Sequence, residues 1–336
     1  MGKTHKILIT GGAGFIGSNF IDYYFKNKNR GELICIDKLT YAGKLDNIEK
    51  FLERDNFKFY KEDICNKNAM HQIIRNEKPD IIINFAAESH VDRSIDCSSA
   101  FYNSNVAGTI NLMDCALVNS VKRFHQVSTD EVYGDLGKLN KSLRFNETSK
   151  IKPSNPYSAS KASADLFVLS YARTHGLPIT ISRCSNNYGP KQHTEKYIPK
   201  IITNILQNKK IPIYGNGENI RDWIHVSDHC EALYRIITDG EIGSIYNIGA
   251  DNEISNLEIA KIICEIFNYG DYHIHFVNDR KGHDYRYGID ATKIKKQLNW
   301  KAKTQFKEGI KSTVEWYVKN EQWWRKRIGD NVWMYW

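Results

Sequence analysis

Short apolar runs alternate with helical stretches through the first half of the chain. The runs lie at 6–10, 33–37, 57–60, 80–85, 123–128 and 179–183. Runs of this length, rich in β-branched residues, are typical of strands that are buried on both faces of a parallel sheet. Alternation of such strands with helices predicts an α/β fold built on a doubly wound parallel sheet.

The pattern changes beyond about residue 186. Glycine- and asparagine-containing loops at 186–190 and 213–217 separate shorter elements, and helical periods return at about 257–268 and 306–320. We interpret residues 186–336 as mainly a smaller C-terminal substrate lobe, from which segments at about 220–250 return to the first domain. Residues 1–185 then form the first domain.

The first apolar run ends in a glycine-rich turn, after which a helical pattern begins. Gly11 or Gly12 permits the tight turn, Gly14 lets backbone amides approach phosphates, and Gly17 lets the helix lie close to the strand. The start of the helix supplies unpaired N–H groups and partial positive charge. The turn is therefore predicted to bind a pyrophosphate.

An acidic residue ends the second apolar run. Asp37 lies twenty positions after Gly17, where a carboxylate can accept hydrogen bonds from the adenosine ribose and would repel a 2′-phosphate. Strand, turn, helix, strand and acid in this order predict a Rossmann domain over residues 1–185 that binds NAD rather than NADP.

Composition narrows the class of protein. The 336 residues are 41% hydrophobic and 26% charged, as in a globular protein, and no apolar run approaches the roughly 20 residues that span a bilayer. Because the first strand begins at once, we expect no signal peptide and a cytoplasmic location. The seven scattered cysteines favour reduced thiols. The net charge of +8 is spread thinly, so we expect no nucleic-acid partner.

Tyr157 and Lys161 lie one turn apart on a predicted helix that starts after Pro153 and Pro156. An ammonium beside a phenol is expected to lower the phenol pKa from its usual value near about 10, so that Tyr157 can exchange a proton with a sugar hydroxyl. Together with the glycine turn, this pair resembles the extended short-chain dehydrogenases/reductases that act on nucleotide sugars.

Three polar residues follow the strand at 123–128. Thr129 can hydrogen-bond the hydroxyl that is oxidised, and Asp130 and Glu131 diverge as they leave the strand. An epimerase has no use for two such acids. A dehydratase needs one group to take a carbon-bound proton and another to protonate the departing hydroxyl. The predicted catalytic residues are Thr129, Asp130, Glu131, Tyr157 and Lys161.

Further segments at 84–94, 183–190, 221–223 and 279–284 are similar to dTDP-glucose 4,6-dehydratases, and the resemblance runs from about residue 5 to about 325. It implies a lyase that oxidises C4 of dTDP-glucose, removes water across C5 and C6, and returns the hydride to C6, giving dTDP-4-keto-6-deoxy-glucose. It also implies that Glu131 takes the C5 proton while Asp130 protonates the C6 hydroxyl, that NAD stays bound, and that the protein is a homodimer.

The motifs and the resemblance together predict two sets of binding residues. The cofactor set is Gly11, Gly14, Phe15, Ile16, Gly17, Asp37, Lys38, Thr40, Asp63, Ile64, Phe85, Ala86, Ala87, Ser104, Tyr157, Lys161 and Asn187. The substrate set is Ser89, Asn186, Lys196, Tyr197, Pro212, Tyr214, Arg221, Asn256, Arg280 and His283. The guanidinium groups of Arg221 and Arg280 suit phosphate oxygens.

One segment of the sequence differs from the usual family pattern. The family usually carries Gly-Pro-Tyr-Gln-Phe/Tyr-Pro-Glu-Lys, whereas residues 189–196 read Gly-Pro-Lys-Gln-His-Thr-Glu-Lys. We expect the altered positions Lys191, His193 and Thr194 near the substrate, which keeps UDP- and CDP-glucose open as alternative substrates. The functions of a nucleotide-sugar 4-epimerase and of a non-catalytic NAD-binding scaffold also stay open at this point.

Two remaining patterns predict structural roles. His225 and His229 have a helical spacing that could suggest a metal, but Ser227-Asp228 resembles a helix cap, so no metal site is predicted. Five of the seven tryptophans lie at 316, 323, 324, 333 and 336, and we expect them to pack at a lobe surface or a subunit contact.

Overall fold

The computed structural model describes residues 5–27 and 31–328. A seven-stranded parallel sheet forms its centre, with strand order β10-β6-β5-β4-β1-β2-β3. These strands are β1 (Ile7–Thr10), β2 (Leu33–Asp37), β3 (Phe57–Lys61), β4 (Ile81–Asn84), β5 (Arg123–Thr129), β6 (Ile179–Cys184) and β10 (Ile245–Ile248). The strand order confirms the doubly wound parallel sheet that the apolar runs predict.

Helices cover both faces of this sheet and surround the second lobe. They are α1 (Phe15–Lys26), α2 (Lys67–Glu77), α3 (Val91–Asp96), α4 (Ser98–Phe101), α5 (Gly108–Val118), α6 (Pro156–His175), α7 (Tyr197–Leu206), α8 (Val226–Asp239), α9 (Asn256–Phe267), α10 (Thr292–Leu298), α11 (Phe306–Lys319) and α12 (Glu321–Ile328). A π-helical segment, Tyr102–Ala107, joins α4 to α5, and short 3₁₀ turns cover Leu45–Asn47, Glu49–Phe51, Asp130–Tyr133 and Asp271–His273.

The alternation of side chains along β1 divides the core into two layers. Ile7 and Ile9 pack with Phe20 of α1 and Leu233 of α8, whereas Leu8 packs with residues of α2 and α5 on the opposite face. Successive strand residues point to opposite faces, so a strand that is apolar throughout supports helices on both sides.

A second core lies under the C-terminal lobe. The remaining strands there are β7 (Asn186–Tyr188), β8 (Ile211–Tyr214), β9 (Ile220–His225), β11 (Glu253–Ser255) and β12 (Ile274–Val277). β9 pairs with β7 and β11, and β8 pairs with β12. Tyr188, Trp223 and Trp324 are buried in this core together with residues of α7, α9 and α11. Between these elements the chain returns to the central sheet, since α8 packs on α1 and β10 pairs with β6.

The structure refines the two minor predictions. Helix α8 is capped by His225, whose ring nitrogen accepts from the backbone N–H of Ser227 at 3.3 Å, so the predicted Ser227-Asp228 cap is wrong by two residues. Trp324 is fully buried, and Trp316 and Trp323 pack against the same core. Trp333 and Trp336 lie outside the described residues.

No helix within residues 5–27 and 31–328 has both the length and the apolar composition that crossing a membrane requires.

A buried ion pair fixes α6 to the sheet. The guanidinium Nε of Arg183 on β6 donates to Asp165 Oδ2 on α6 at 3.0 Å, and both side chains are almost completely buried. Breaking such a pair by removing one partner is costly, because the remaining charge stays buried without compensation. The position of α6 matters because this helix carries Tyr157 and Lys161.

A buried histidine on β5 makes the fold sensitive to acid. Ring nitrogens of His125 lie 2.9 Å from Thr180 Oγ1 and 3.0 Å from Ser182 Oγ, and burial lowers the pKa of His125 to about 3. In the unfolded chain a histidine pKa is about 6.5, so the unfolded state binds more protons between these values. Stability contributed by the neutral ring is therefore lost as the pH falls below about 6.5.

We expect the free energy of unfolding to decrease between pH 6.5 and pH 4, and the decrease to be shallower in His125→Gln by up to about 1.4 kcal/mol per pH unit. Urea unfolding at each pH measures this slope. His275→Gln, at an exposed strand position, is the matched control and should retain the wild-type slope. Equal slopes in His125→Gln and wild type would contradict the assignment.

Candidate active site

Two adjoining cavities open at the carboxyl ends of the parallel strands. We call them the cofactor cavity, of about 300 Å³ beside the glycine turn, and the substrate cavity, of about 270 Å³ between the central sheet and the second lobe. Ser89, Glu131, Asn186 and Lys196 line both cavities. Ligands of open α/β sheets bind at this edge, so the two cavities form one continuous candidate site.

The glycine turn has the form that a dinucleotide phosphate needs. Gly11 adopts φ +68°, and a Cβ there would lie 2.7 Å from the backbone nitrogen of Ala86, so only glycine fits. Gly14 lines the cavity and starts α1 without a side-chain cap. This leaves the positive end of the helix facing the cavity, as phosphate binding requires.

Polar residues from three elements line the cofactor cavity next to the glycine turn. Asp37 accepts from the backbone N–H groups of Ala13 at 2.9 Å and Leu39 at 2.8 Å. Lys38 Nζ donates to Ser104 Oγ at 3.1 Å and lies 3.6 Å from Asp63 Oδ2. Polar groups at the ends of β2 and β3 therefore converge with the π-helical segment.

All the residues predicted to bind the cofactor line the cofactor cavity. Sequence reasoning missed several others, among them Glu88, Val127, Cys184 and Gln192. Cys184 could have been found, since it directly follows a predicted apolar run, where functional residues of this fold collect.

A buried network of polar side chains supports the ends of the central strands. Asn84 on β4 accepts from Thr10 Oγ1 at 2.6 Å and donates to Gln126 Oε1 at 2.9 Å. Asn105, in the π-helical segment, donates to Ser160 Oγ on α6 at 2.8 Å. Because every bond lies in the interior, the network fixes β1, β4 and β5 and holds α6 beside them.

Tyr157 and Lys161 lie on one face of α6 and line the cofactor cavity, but their electrostatics differ from expectation. Lys161 Nζ donates to the carbonyl oxygen of Val127 at 2.7 Å. Burial, followed by the negative charge of Glu131, raises the pKa of Tyr157 well above its usual value. The prediction that the pKa of Tyr157 lies below its usual value is therefore wrong. Tyr157 is a neutral phenol at pH 7.

The two acids occupy a 3₁₀ turn directly after β5. Thr129 caps this turn by accepting from the N–H of Glu131 at 3.3 Å, and its hydroxyl donates to Asp130 Oδ1 at 3.3 Å. Asp130 lines only the cofactor cavity, whereas Glu131 lines both. The side chains thus diverge as they leave the strand.

The environments of these acids separate their protonation states. Burial, then the charges of Glu131 and Asp222, raises the pKa of Asp130 well above its usual range. Burial also raises the pKa of Glu131, but the cations Arg280 and Arg221 act in the opposite direction. Two neighbouring carboxyls with different tendencies to ionise can act as an acid and a base in one reaction.

Cations and polar groups surround the substrate cavity. The guanidinium of Arg221 donates to the carbonyl oxygens of Ile220 at 2.8 Å and Asp284 at 2.9 Å, which fixes it in place. Lys196 Nζ donates to the carbonyl of Ser89 at 2.6 Å. Glu131 Oε2, Asn186 Oδ1, Arg280 Nε and Trp223 Nε1 are buried and make no hydrogen bond to any described residue. Buried groups of this kind are normally satisfied, and here a polar ligand would satisfy them.

All ten residues predicted to bind substrate line this cavity. Trp223 and Lys200 also line it and were not predicted. Their spacing could have predicted them. Trp223 is two residues from Arg221 on a strand and Lys200 is one helical turn from Lys196, so each shares a face with a predicted residue.

The three altered positions in the segment 189–196 do not line the substrate cavity, although Lys196 of the same segment does. Lys191 and Thr194 line neither cavity, and His193 lines only the cofactor cavity. Lys191 Nζ instead donates to Asp22 Oδ2 on α1 at 2.8 Å. These three positions were expected near the substrate, and none of them lines the substrate cavity itself.

No group of three or more histidine, cysteine or acidic side chains suited to a metal occurs in the described part of the chain.

A parallel sheet of this strand order, with a Tyr/Lys pair beside its dinucleotide cavity, is the architecture of an extended short-chain dehydrogenase/reductase. The model of the family described as GDP-mannose 4,6 dehydratase matches residues 8–313. The chain therefore belongs to that family of nucleotide-sugar enzymes.

Individual proteins of known sequence or structure are similar to this chain over nearly its full length. A dTDP-glucose 4,6-dehydratase of Salmonella typhimurium is 46% identical, over 95% of this chain and 94% of its own. The structure of a dTDP-glucose 4,6-dehydratase from Bacillus anthracis in complex with NAD has a TM-score of 0.90 at 43% identity, covering 96% of this chain and 99% of that one. A UDP-glucose 4-epimerase from Thermotoga maritima has a TM-score of 0.87 at 29% identity, covering 94% and 99%. The cofactor of this protein is NAD, as the glycine turn and Asp37 predict.

Proposed function

We propose that the protein is an NAD-dependent dTDP-glucose 4,6-dehydratase, a hydro-lyase that forms dTDP-4-keto-6-deoxy-glucose. The observation that carries the proposal is the Asp130–Glu131 pair at the junction of the two cavities. An enzyme that only exchanges a hydride at one carbon needs no second acid–base pair. The relatives named dTDP-glucose 4,6-dehydratase support the same conclusion.

The Tyr157–Thr129 side of the site is proposed to handle the proton of the 4-hydroxyl. Bound NAD supplies a reversible hydride acceptor. Thr129 orients the hydroxyl, and Tyr157 takes its proton. Because burial and nearby carboxylates raise the pKa of Tyr157, the phenolate needs stabilisation that Lys161 and the positive nicotinamide ring would provide.

The paired acids are proposed to carry out the elimination. A ketone at C4 acidifies the C5 hydrogen, which Glu131 accepts because nearby arginines favour its ionised form. Asp130 donates a proton to the departing C6 hydroxyl, a role that its raised pKa favours. The arginines beside Glu131 and the burial of Asp130 thus act in the directions that the two steps require.

The nucleotide diphosphate is proposed to lie in the substrate cavity, with Arg221 and Arg280 at the phosphates. Both guanidinium groups line that cavity, and Arg280 Nε has no hydrogen-bond partner among the described residues. Lys196, Asn186 and Tyr214 line the same cavity and complete the proposed contacts. Since none of the altered positions lies in the substrate cavity, no feature of that segment favours UDP- or CDP-glucose over dTDP-glucose.

A substrate panel tests the function. Purified protein incubated with dTDP-, UDP-, CDP- and GDP-glucose should convert dTDP-glucose fastest, and NMR should identify a 4-keto-6-deoxy product. Formation of a 4-epimer without any 4-keto-6-deoxy product would overturn the proposal in favour of an epimerase. Faster conversion of another nucleotide sugar would overturn the choice of base alone.

Substitution of each acid should stop the reaction at a different step. In Glu131→Gln, we expect turnover to fall by about 10²–10⁴-fold and exchange of the C5 hydrogen with deuterated water to disappear. Asp130→Asn, the matched variant, should retain C5 exchange while loss of water slows. NMR detects the exchange, and single-turnover absorbance of the reduced nicotinamide checks that C4 oxidation persists in both variants. Normal C5 exchange in Glu131→Gln would contradict its role as the base.

A homodimer is proposed from the exposed apolar side chains of two adjacent helices. Tyr102 is 61% exposed beside α5, Val118 at the end of α5 is 70% exposed, and Leu166 on α6 is 55% exposed. Helices α5 and α6 contact each other, and Tyr171 OH donates to Asp114 Oδ1 at 2.7 Å. Exposed apolar residues on neighbouring helices are typical of an interaction surface.

Light scattering should give about twice the chain mass of 38.9 kDa, and Leu166→Glu should shift the protein toward monomer. Lys26→Glu, a change on a helix of the opposite face, is the control. A monomeric wild-type protein at micromolar concentration would refute the dimer.

Two organisational features complete the proposal. The division into a Rossmann domain at 1–185 and a substrate lobe at 186–336 follows from the change of element pattern, with α8 and β10 contributing to the first domain. All seven cysteines are unpaired thiols, which supports a reducing, cytoplasmic location.

A further inference from the structure

Asn47 lies behind the glycine turn and connects separate segments of the chain. Its side-chain Nδ2 donates to the carbonyl oxygen of Ala13 in the turn at 2.7 Å. Its Oδ1 accepts from Trp323 Nε1 at 2.9 Å, and its backbone oxygen accepts from Lys191 Nζ at 2.8 Å. Asn47 is 2% exposed and lines neither cavity, so it does not itself contact ligands.

The C-terminal helix α12 holds Asn47 from one side. Arg327 forms a two-pronged ion pair with Asp46, at 2.5 Å and 3.2 Å, and also donates to Asn47 Oδ1 at 3.3 Å. The guanidinium lies 3.7 Å from the centre of the Trp323 ring, and Arg327 is 2% exposed. Arg327 is buried, whereas Asp46 is 36% exposed. Several bonds from one guanidinium define one geometry, because any displacement of the helix breaks them together.

The altered segment at 189–196 is part of the same assembly. Lys191 donates to both Asp22 on α1 and Asn47, and Thr194 Oγ1 donates to the carbonyl of Arg327 at 3.4 Å. Lys191 and Thr194, which depart from the family pattern, are thus explained by contacts to α1 and α12 rather than by contacts to substrate.

We propose that α12 acts as a C-terminal clamp on the NAD-binding turn, with Trp323 and Arg327 acting through Asn47 on the carbonyl of Ala13. These three are positioning residues for the cofactor. The turn depends on hydrogen bonds from outside it, because Gly14, the N-cap of α1, supplies no side-chain cap and Ala13 carries no polar side chain. Asp37 accepts from the N–H of Ala13, and the carbonyl of Ala13 accepts from Asn47 Nδ2 at 2.7 Å and from the N–H of Lys44 at 3.2 Å. The reaction proposed above gives the clamp its purpose: a hydride that is removed and then returned requires the cofactor to stay bound.

The rate of NAD release from the purified holoprotein tests the clamp. Trp323→Phe retains an aromatic ring but removes the donor to Asn47 Oδ1, which keeps only the longer 3.3 Å contact from Arg327. We expect about ten-fold faster release, as for loss of one buried hydrogen bond. At saturating NAD, kcat should be unchanged. Arg325→Gln, which removes an exposed ion pair to Glu321 on the same helix, is the control and should release NAD at the wild-type rate.

A double substitution separates the clamp from general destabilisation. If Trp323 acts through Asn47, then Trp323→Phe should not accelerate NAD release further in an Asn47→Ala background, whereas independent effects would multiply. Arg327→Lys should restore part of the retention that Arg327→Met loses. Multiplicative effects, or wild-type release in folded Trp323→Phe, would overturn the proposal. Since NAD release is measured without any sugar, it does not depend on whether the dehydratase function is correct.

Discussion

The removal of two adjacent carboxyl groups from water is the constraint on which the site depends. Asp130 and Glu131 follow β5 in a single 3₁₀ turn, and burial raises the pKa of both. After burial, the main influences on Glu131 are Arg280 and Arg221, which lower its pKa, whereas the main influences on Asp130 are the carboxyls of Glu131 and Asp222, which raise its pKa further. In water, carboxyls of ordinary pKa would both be ionised at neutral pH. Their different behaviour is a property of the surrounding structure.

The rest of the fold holds Tyr157 and Arg221 in place beside this buried pair of carboxyl groups. The Arg183–Asp165 ion pair and the Asn105–Ser160 hydrogen bond fix α6, and hence Tyr157, against the end of β5. The second lobe lies on the other side of the site and contributes the guanidinium of Arg221. Hydrogen bonds to backbone carbonyls hold this guanidinium in place. The proposed acid–base groups and the guanidinium groups proposed for the phosphates therefore come from different parts of the chain and depend on the same packing.

The proposed C-terminal clamp makes the binding of the cofactor depend on tertiary packing as well. A turn built of small residues can approach phosphates closely, but it has few side chains with which to hold its own shape. Asn47 supplies that support from behind, and α12 in turn holds Asn47. The segment that differs from the usual family pattern joins α1 to the same assembly through Lys191. A change far from the reacting atoms can thus affect how the cofactor is held.

The local pattern of residues determined the elements of the central sheet and the positions of the motifs. Strand β2 ends at Asp37 and α6 carries Tyr157 and Lys161 on one face, because both features depend only on short-range periodicity. The tertiary structure determined the properties that depend on contacts between distant parts of the chain. The pKa of Tyr157 is raised rather than lowered, since it depends on burial and on the carboxyl of Glu131 in the turn after β5. Lys191 and Thr194 face α1 and α12, contacts that span more than a hundred residues of sequence and arise only when the lobes pack together.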